Sequence, residues 1–252
     1  MMRESWNYFA VDKDYSDLLK KRLSESVVMD SAIALAKYLN ECCEGNLRIC
    51  DLGSGPGHYY PVISEFYKRG QVHYCGVDFD KENIAYGAEY FRENPNVEMV
   101  VGDVLRLEEI DREFDCIVSA NTLPHIPSVE PITDYLIGKK SIKYFLFRML
   151  IGSECIQIKK HLRENEFQDM FCQNFQFNNI YSAEYLMYKL GSDWELSILP
   201  DVYDNNRLDS HSGDFSFGDN FYKNRVSRNV NGMVFKGDIY MPWKFVFGKR
   251  RA

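Results

Sequence analysis

Residues 48–57 read Arg-Ile-Cys-Asp-Leu-Gly-Ser-Gly-Pro-Gly, and the fold can be worked out from that stretch outward. The apolar run through Leu47, Ile49 and Cys50, closing with Asp51 and Leu52, predicts a strand. It breaks at Gly53, Gly55 and Gly57, and the aromatic pair Tyr59 and Tyr60 opens a helix. Glycine has no Cβ, so three of them in five residues let the backbone turn sharply and approach a ligand closely. Strand, glycine loop and helix together make the first half of a nucleotide-binding βαβ unit.

The dinucleotide fingerprint is G-x-G-x-x-G, and here its third glycine position holds His58. An imidazole there disfavours the close packing that a pyrophosphate needs at a helix N-terminus, which argues against a nicotinamide oxidoreductase. The pattern that remains, D-x-G-x-G-x-G from Asp51 to Gly57, resembles the first motif of class I S-adenosylmethionine-dependent methyltransferases. The resemblance implies that Asp51, Gly53, Ser54, Gly55 and Gly57 line the cofactor. Its chemistry agrees, because S-adenosylmethionine carries a sulfonium and an ammonium, and an acidic lead residue suits a cationic ligand.

Further residues fall in the order that this family requires. A second strand, Val72–Val77, ends in Asp78, twenty-five positions after Gly53. A carboxylate at that place accepts both hydroxyls of an adenosine ribose, with Phe79 beside it, while Asp80 is placed to cap a helix over 81–91. A third strand, Val97–Val101, leads into Asp103 and Val104, which the resemblance assigns to the adenine. A fourth strand, Phe114–Ser119, runs into Ala120–Ile126, where the family's fourth motif opens toward the acceptor and Asn121 meets the cofactor. The resemblance spans roughly residues 45–130.

Length and composition bound the rest. The 252 residues, 45% hydrophobic and 27% charged, fit one α/β domain. We expect a single methyltransferase domain over 1–252: an N-terminal helical cap (1–44), a cofactor-binding core (45–150), and acceptor-side elements with the C-terminal strands (151–252). The fold class expected is Rossmann-like: a mostly parallel seven-stranded sheet with helices on both faces and an antiparallel C-terminal strand. Seven cysteines without C-x-x-C spacing read as reduced residues of a cytoplasmic protein, and the opening Met-Met-Arg-Glu-Ser-Trp is too polar for a signal peptide. Five histidines show no metal-ligand pairing, and no apolar run reaches membrane-span length. A net charge of −7 disfavours a nucleic-acid partner, although Lys139, Lys140, Lys143, Arg148, Lys159, Lys160, His161 and Arg163 cluster locally, as a solvated face or as a positive rim for an anionic acceptor.

Residues 16–41 have helical spacing, and Trp6, Tyr8, Phe9 and Tyr15 form an aromatic lead-in that either folds over the cofactor, as an N-terminal segment often does in the family, or packs against the sheet. Beyond the fourth strand the reading is a helix near 131–137, a strand at 143–150, and an extra strand within 154–162. Residues 176–182 read as a polar-aromatic loop whose Ser182 caps a helix stopping at Gly191. Strands follow at 194–199 and near the C-terminus, joined by a long polar connection over 201–232 that reads as a lid or binding segment.

Methyl transfer is an in-line displacement that depends on proximity and orientation. A hydroxyl acceptor also needs a general base, and His125, just past the fourth strand, is the candidate. Asn121-Thr-Leu-Pro124 lacks the aromatic of the Asn-Pro-Pro-Tyr tetrapeptide found in methyltransferases of nucleic-acid amino groups. Arg148–Gly152, Asn178–Ser182 and Pro242–Phe245 look similar to methyltransferases of polysaccharide biosynthesis. That similarity implies a small-molecule or glycan acceptor, with O-methylation of a sugar hydroxyl foremost and Tyr8, Tyr15, Arg148, Asn178 and Tyr181 as substrate contacts. An N-methyltransferase acting on a small amine and a non-catalytic partner of the same fold are the alternatives.

Overall fold

The structure, a computed structural model, describes residues 13–161, 175–201, 227–230, 233–236 and 239–251. Trp6, Tyr8 and Phe9 of the aromatic lead-in and most of the connection over 201–232 lie outside those residues. Apolar runs bounded by glycine and polar turns form parallel strands β1 (Leu47–Leu52), β2 (Val72–Asp78), β3 (Val97–Val101), β4 (Cys116–Ala120) and β5 (Tyr144–Gly152). The interiors of β1, β2, β4 and β5 are nearly continuous hydrophobic sequence, as strands covered on both faces require, whereas β3 at the sheet edge stays partly exposed. β6 (Ile156–His161), β7 (Phe175–Ser182), β8 (Trp194–Pro200) and β12 (Trp243–Arg250) complete the main sheet. Three short strands, β9 (Ser227–Val230), β10 (Met233–Lys236) and β11 (Ile239–Tyr240), pair separately as an antiparallel sheet.

The main path runs β3-β2-β1-β4-β5-β12-β8, with β12 antiparallel to both of its neighbours. Chain order reverses between β1 and β4, and the carboxyl ends of strands at such a switch point open into a crevice. On one face lie α1 (Lys13–Ser24), α2 (Asp30–Cys42), α3 (Tyr60–Phe66) and α4 (Lys81–Tyr90). There Leu35, Leu39 and Ile63 meet Ile49, Val118, Leu146 and Phe245. On the other face, α5 (Glu130–Gly138) and α6 (Ala183–Leu190) set Leu136 and Leu186 against Leu52, Ile117 and Phe145. Asp80 caps α4 by accepting from the Glu82 and Asn83 N–H groups, and Ser182 caps α6 by accepting from Tyr185. Among the described residues no helix is long and apolar enough to cross a membrane.

Two features differ from the sequence reading. The seven expected strands make up the main path, but β6 and β7 join it, so the sheet has nine. Residues 176–182 are not a loop: they belong to β7, parallel to β5 and antiparallel to β6. The cause is local. β4 pairs with β5 only as far as Ala120–Arg148, and from Leu150 onward β7 takes up the edge that β4 leaves open.

Candidate active site

The glycine loop is built on positive φ angles, 71° at Gly53, 55° at Gly55 and 83° at Gly57, which side chains rarely tolerate. The Gly53 and Ser54 N–H groups donate to the Val77 carbonyl over 2.8 and 3.1 Å, bending the loop across the end of β2. A Cβ on Gly53 would stand 2.1 Å from Thr122 Oγ1, so the loop closes against the chain leaving β4. The hydroxyl of buried Ser54 donates to the Gly55 carbonyl over 3.1 Å.

Two buried carboxyls flank this loop. Asp78, at the end of β2, accepts from the Gly55 N–H (2.8 Å) and the Asp80 N–H (2.9 Å). Burial pushes its pKa up to about 6 against the pull of those hydrogen bonds. Asp51 is 3% exposed and accepts from the Tyr74 hydroxyl over 2.6 Å. Burial carries its pKa to about 7, opposed by that hydrogen bond and helped by the charge of Asp78. Beyond them Phe79 is half-buried, Val104 is buried, and exposed Asp103 caps its own turn by accepting from the Leu105 N–H over 2.9 Å.

At the end of β4, Asn121 takes a φ of 69°, unusual for a residue with a side chain, and turns the chain into a short 3-10 segment, Leu123–His125. His125 Nδ1 lies 2.7 Å from the Phe177 carbonyl of β7. A carbonyl only accepts, so Nδ1 carries a hydrogen, and in a neutral ring the acceptor nitrogen is then Nε2. The Gln176 amide nitrogen, 3.4 Å from the same Nδ1, is then a second donor and a packing contact.

Arg148 in β5 is held on several sides. Its Nε and Nη2 donate to the Asp201 carboxylate, the closest contact 2.6 Å, and Nη1 donates to Asn121 Oδ1. Its guanidinium carbon lies 4.2 Å from the Trp243 ring centre. Both ion-pair partners are buried, at 5% and 2% side-chain exposure. Buried Asn178 accepts from the Gln176 amide over 3.3 Å. Tyr181, by strand alternation, lies on the opposite face, in the core beside α5 and α6, and burial pushes its phenol up to about 12.

The predicted residues thus divide. The structure brings together Asp51, Gly53, Ser54, Gly55, Gly57 and Asp78 around the loop, and Asn121, His125 and Arg148 around the end of β4. Asn178 joins the second group through Gln176, whereas Tyr181 does not. Half-buried Tyr15 rides on α1, whose Leu19 packs on the loop: a Cβ at Gly55 would lie 2.9 Å from Leu19 Cδ1. Tyr8 lies outside the described residues. Sequence reasoning missed Tyr74, Thr122, Asp201 and Trp243. Tyr74 carried a positional signal, since strand alternation sets it four residues before Asp78 on the same face, and Trp243 lay within the Pro242–Phe245 stretch without being assigned a role.

Residues 49–134 match the family model of a methyltransferase domain. Among curated protein sequences nothing matches the chain. A solved S-adenosylmethionine-dependent methyltransferase from Clostridium acetobutylicum is similar over 94% of this chain and 98% of its own, at 14% identity and a TM-score of 0.51. The [4+2]-cyclase SpnF is similar over 99% and 97%, at 12% identity and a TM-score of 0.59. The N-terminal domain of EvdMO1, solved with S-adenosylhomocysteine bound, is similar over 90% and 84%, at 16% identity and a TM-score of 0.50. Identities this low establish a shared fold.

Proposed function

We propose, from the premise that this chain is a class I S-adenosylmethionine-dependent methyltransferase, that it methylates a hydroxyl of a sugar or glycan unit, with His125 as general base. The cofactor fits the residues present. Each Asp78 carboxylate has about four lone-pair sites, and backbone N–H groups occupy only part of them, leaving acceptors for ribose hydroxyls. The left-handed glycine loop offers backbone without side chains, and Asp51 offers negative charge beneath it.

When bound, S-adenosylmethionine supplies an electrophilic methyl carbon on a sulfonium. The protein's own work is to place the acceptor oxygen and to take its proton. The observation that carries the base assignment is the hydrogen bond from His125 Nδ1 to the Phe177 carbonyl. It orients the ring and fixes the tautomer with Nε2 as the proton acceptor. Gln176 and Asn178, carboxamides buried on β7 next to that ring, support an acceptor rich in hydroxyls rather than an apolar one.

The test is a transfer assay with isotopically labelled cofactor against panels of sugars and of small amines, with the product linkage identified by mass spectrometry. Methyl ethers that depend on His125 support the reading. Methylamine products formed at equal rates by a His125→Ala variant would replace it with N-methylation.

A further inference from the structure

Strand alternation along β2 sets Tyr74, Gly76 and Asp78 on one face of the sheet. The parallel register places Tyr74 beside Ile49 and Gly76 beside Asp51. The Tyr74 phenol therefore reaches two residues further up β1, where it donates to Asp51 Oδ2 over 2.6 Å. Gly76 lets the glycine loop settle onto β2, since a Cβ there would stand 2.8 Å from Ser54 Oγ and 2.9 Å from Met99 Sδ. The Tyr74 ring is held from the side, its centre 5.2 Å from that of Tyr60, which in turn meets Phe91 edge-on at 5.4 Å. Both partners of the hydrogen bond are buried.

Asp51 has little else to hold it. Among the described residues the Tyr74 hydroxyl makes its one side-chain hydrogen bond, and no cation pairs with it. The titratable groups around it carry no positive charge: Asp78 and Cys75 of β2, Cys50 of β1 and Tyr59 of α3. From β4 the register neighbour is Val118. Arg22 and Arg148 act on the Tyr59 phenol, yet neither is paired with Asp51. Asp78 differs, because the Gly55 and Asp80 N–H groups hold its carboxylate. A buried carboxylate left without a donor takes up a proton. The charge beneath the loop thus depends on a single phenol.

We infer that Tyr74 is a positioning residue for the cofactor: its phenol orients Asp51 under the glycine loop and supports the carboxylate form that the cofactor draws on. The assignment rests on the cofactor reading above. A tyrosine suits the task, because burial pushes its own proton loss well above the ordinary range, so it stays a donor while Asp51 titrates. Removing a hydrogen bond to a charged group is worth about one to two pH units in the titration of that group. With Asp51 at about 7, the loss of the phenol should carry its titration above neutrality.

The experiment is calorimetry of S-adenosylhomocysteine on the full chain from pH 6 to 9, with Asp51→Asn as the reference for the ligand's own titration. Tyr74→Phe keeps the ring and loses the donor. It is expected to weaken binding about 5- to 50-fold at pH 7 and to leave it within about twofold at pH 9. In the Asp51→Asn background the same change should leave affinity unaltered. A loss equal at every pH would mean that Tyr74 only packs, and no loss at pH 7 would mean that Asp51 does not need it; each overturns the proposal. So does an undiminished loss in the Asp51→Asn background. Replacing Tyr74 by 3-fluorotyrosine, a more acidic phenol of nearly the same shape, covers a Tyr74→Phe chain that fails to fold. It should move the rise in affinity to lower pH, and a rise that stays in place overturns the proposal. A wild-type chain that binds no S-adenosylhomocysteine at any pH overturns the cofactor reading and this proposal with it.

Discussion

The imidazole of His125 donates from Nδ1 to the backbone carbonyl of Phe177 over 2.7 Å, joining the turn after β4 to a strand fifty-two residues further along the chain. The bond fixes which nitrogen can take a proton. Loss of a general base costs about 10²–10⁴ in rate. His125→Ala should reduce turnover on that scale while S-adenosylhomocysteine affinity in calorimetry stays within a few-fold. A stable variant that keeps most of its activity would remove His125 from the mechanism.

Arg148 and Asp201 form a buried ion pair that also grips Asn121. Removing one partner strands the other charge, which costs about 3–5 kcal/mol. Arg148→Met should therefore lower the unfolding free energy measured by chemical denaturation by that amount. Adding Asp201→Asn should recover a large part, because the stranded charge is gone. A double variant no more stable than the single one would show that the cost lies in packing against Trp243.

These two contacts mark where sequence reading stops. The glycine loop and Asp78 were legible because backbone geometry dictates residue type there: positive φ calls for glycine, and a strand end calls for a polar group. β7 was not legible. Gln176, Asn178 and Asn179 are poor strand formers, and they sit in a strand because β5 and β6 pair with it on both sides and the Gln176 and Asn179 amide nitrogens find acceptors inside, on Asn178 and the Ile126 carbonyl. The placement of β12 between β5 and β8, and the pairing of Arg148 with Asp201, depend on contacts that no local pattern encodes.

Gly53 is predicted to resist substitution for two reasons at once. Alanine at a φ of 71° is strained by about 1–2 kcal/mol, and its Cβ would meet Thr122 Oγ1. Gly53→Ala should lower the melting temperature and weaken cofactor binding. Thr122→Ala in the same chain should restore part of the stability, since it removes two of the three clashing atoms. Absence of any recovery would show that backbone strain alone sets the cost.

Asp51 and Asp78 give the protein a pH dependence of known sign. Burial raises their pKa values to about 7 and about 6, above the value of about 3.9 in an unfolded chain. Between about pH 4 and 7 the folded state then binds more protons, so their contribution is present at low pH and lost as pH rises through that window. On the proposed reading the cofactor draws on the ionised forms, so its affinity should rise over the same interval. Calorimetry from pH 5 to 8 should show this rise, flattened near pH 6 in Asp78→Asn. An affinity independent of pH would separate these carboxyls from the ligand.

The central claim is that S-adenosylmethionine binds at the glycine loop with its ribose on Asp78. Calorimetry of S-adenosylhomocysteine against the wild-type chain and Asp78→Ala tests it most directly. The account predicts clear binding to the wild type and a loss of about 1.5–3 kcal/mol in the variant, the worth of hydrogen bonds to a charged group. Equal affinity for both chains would contradict it.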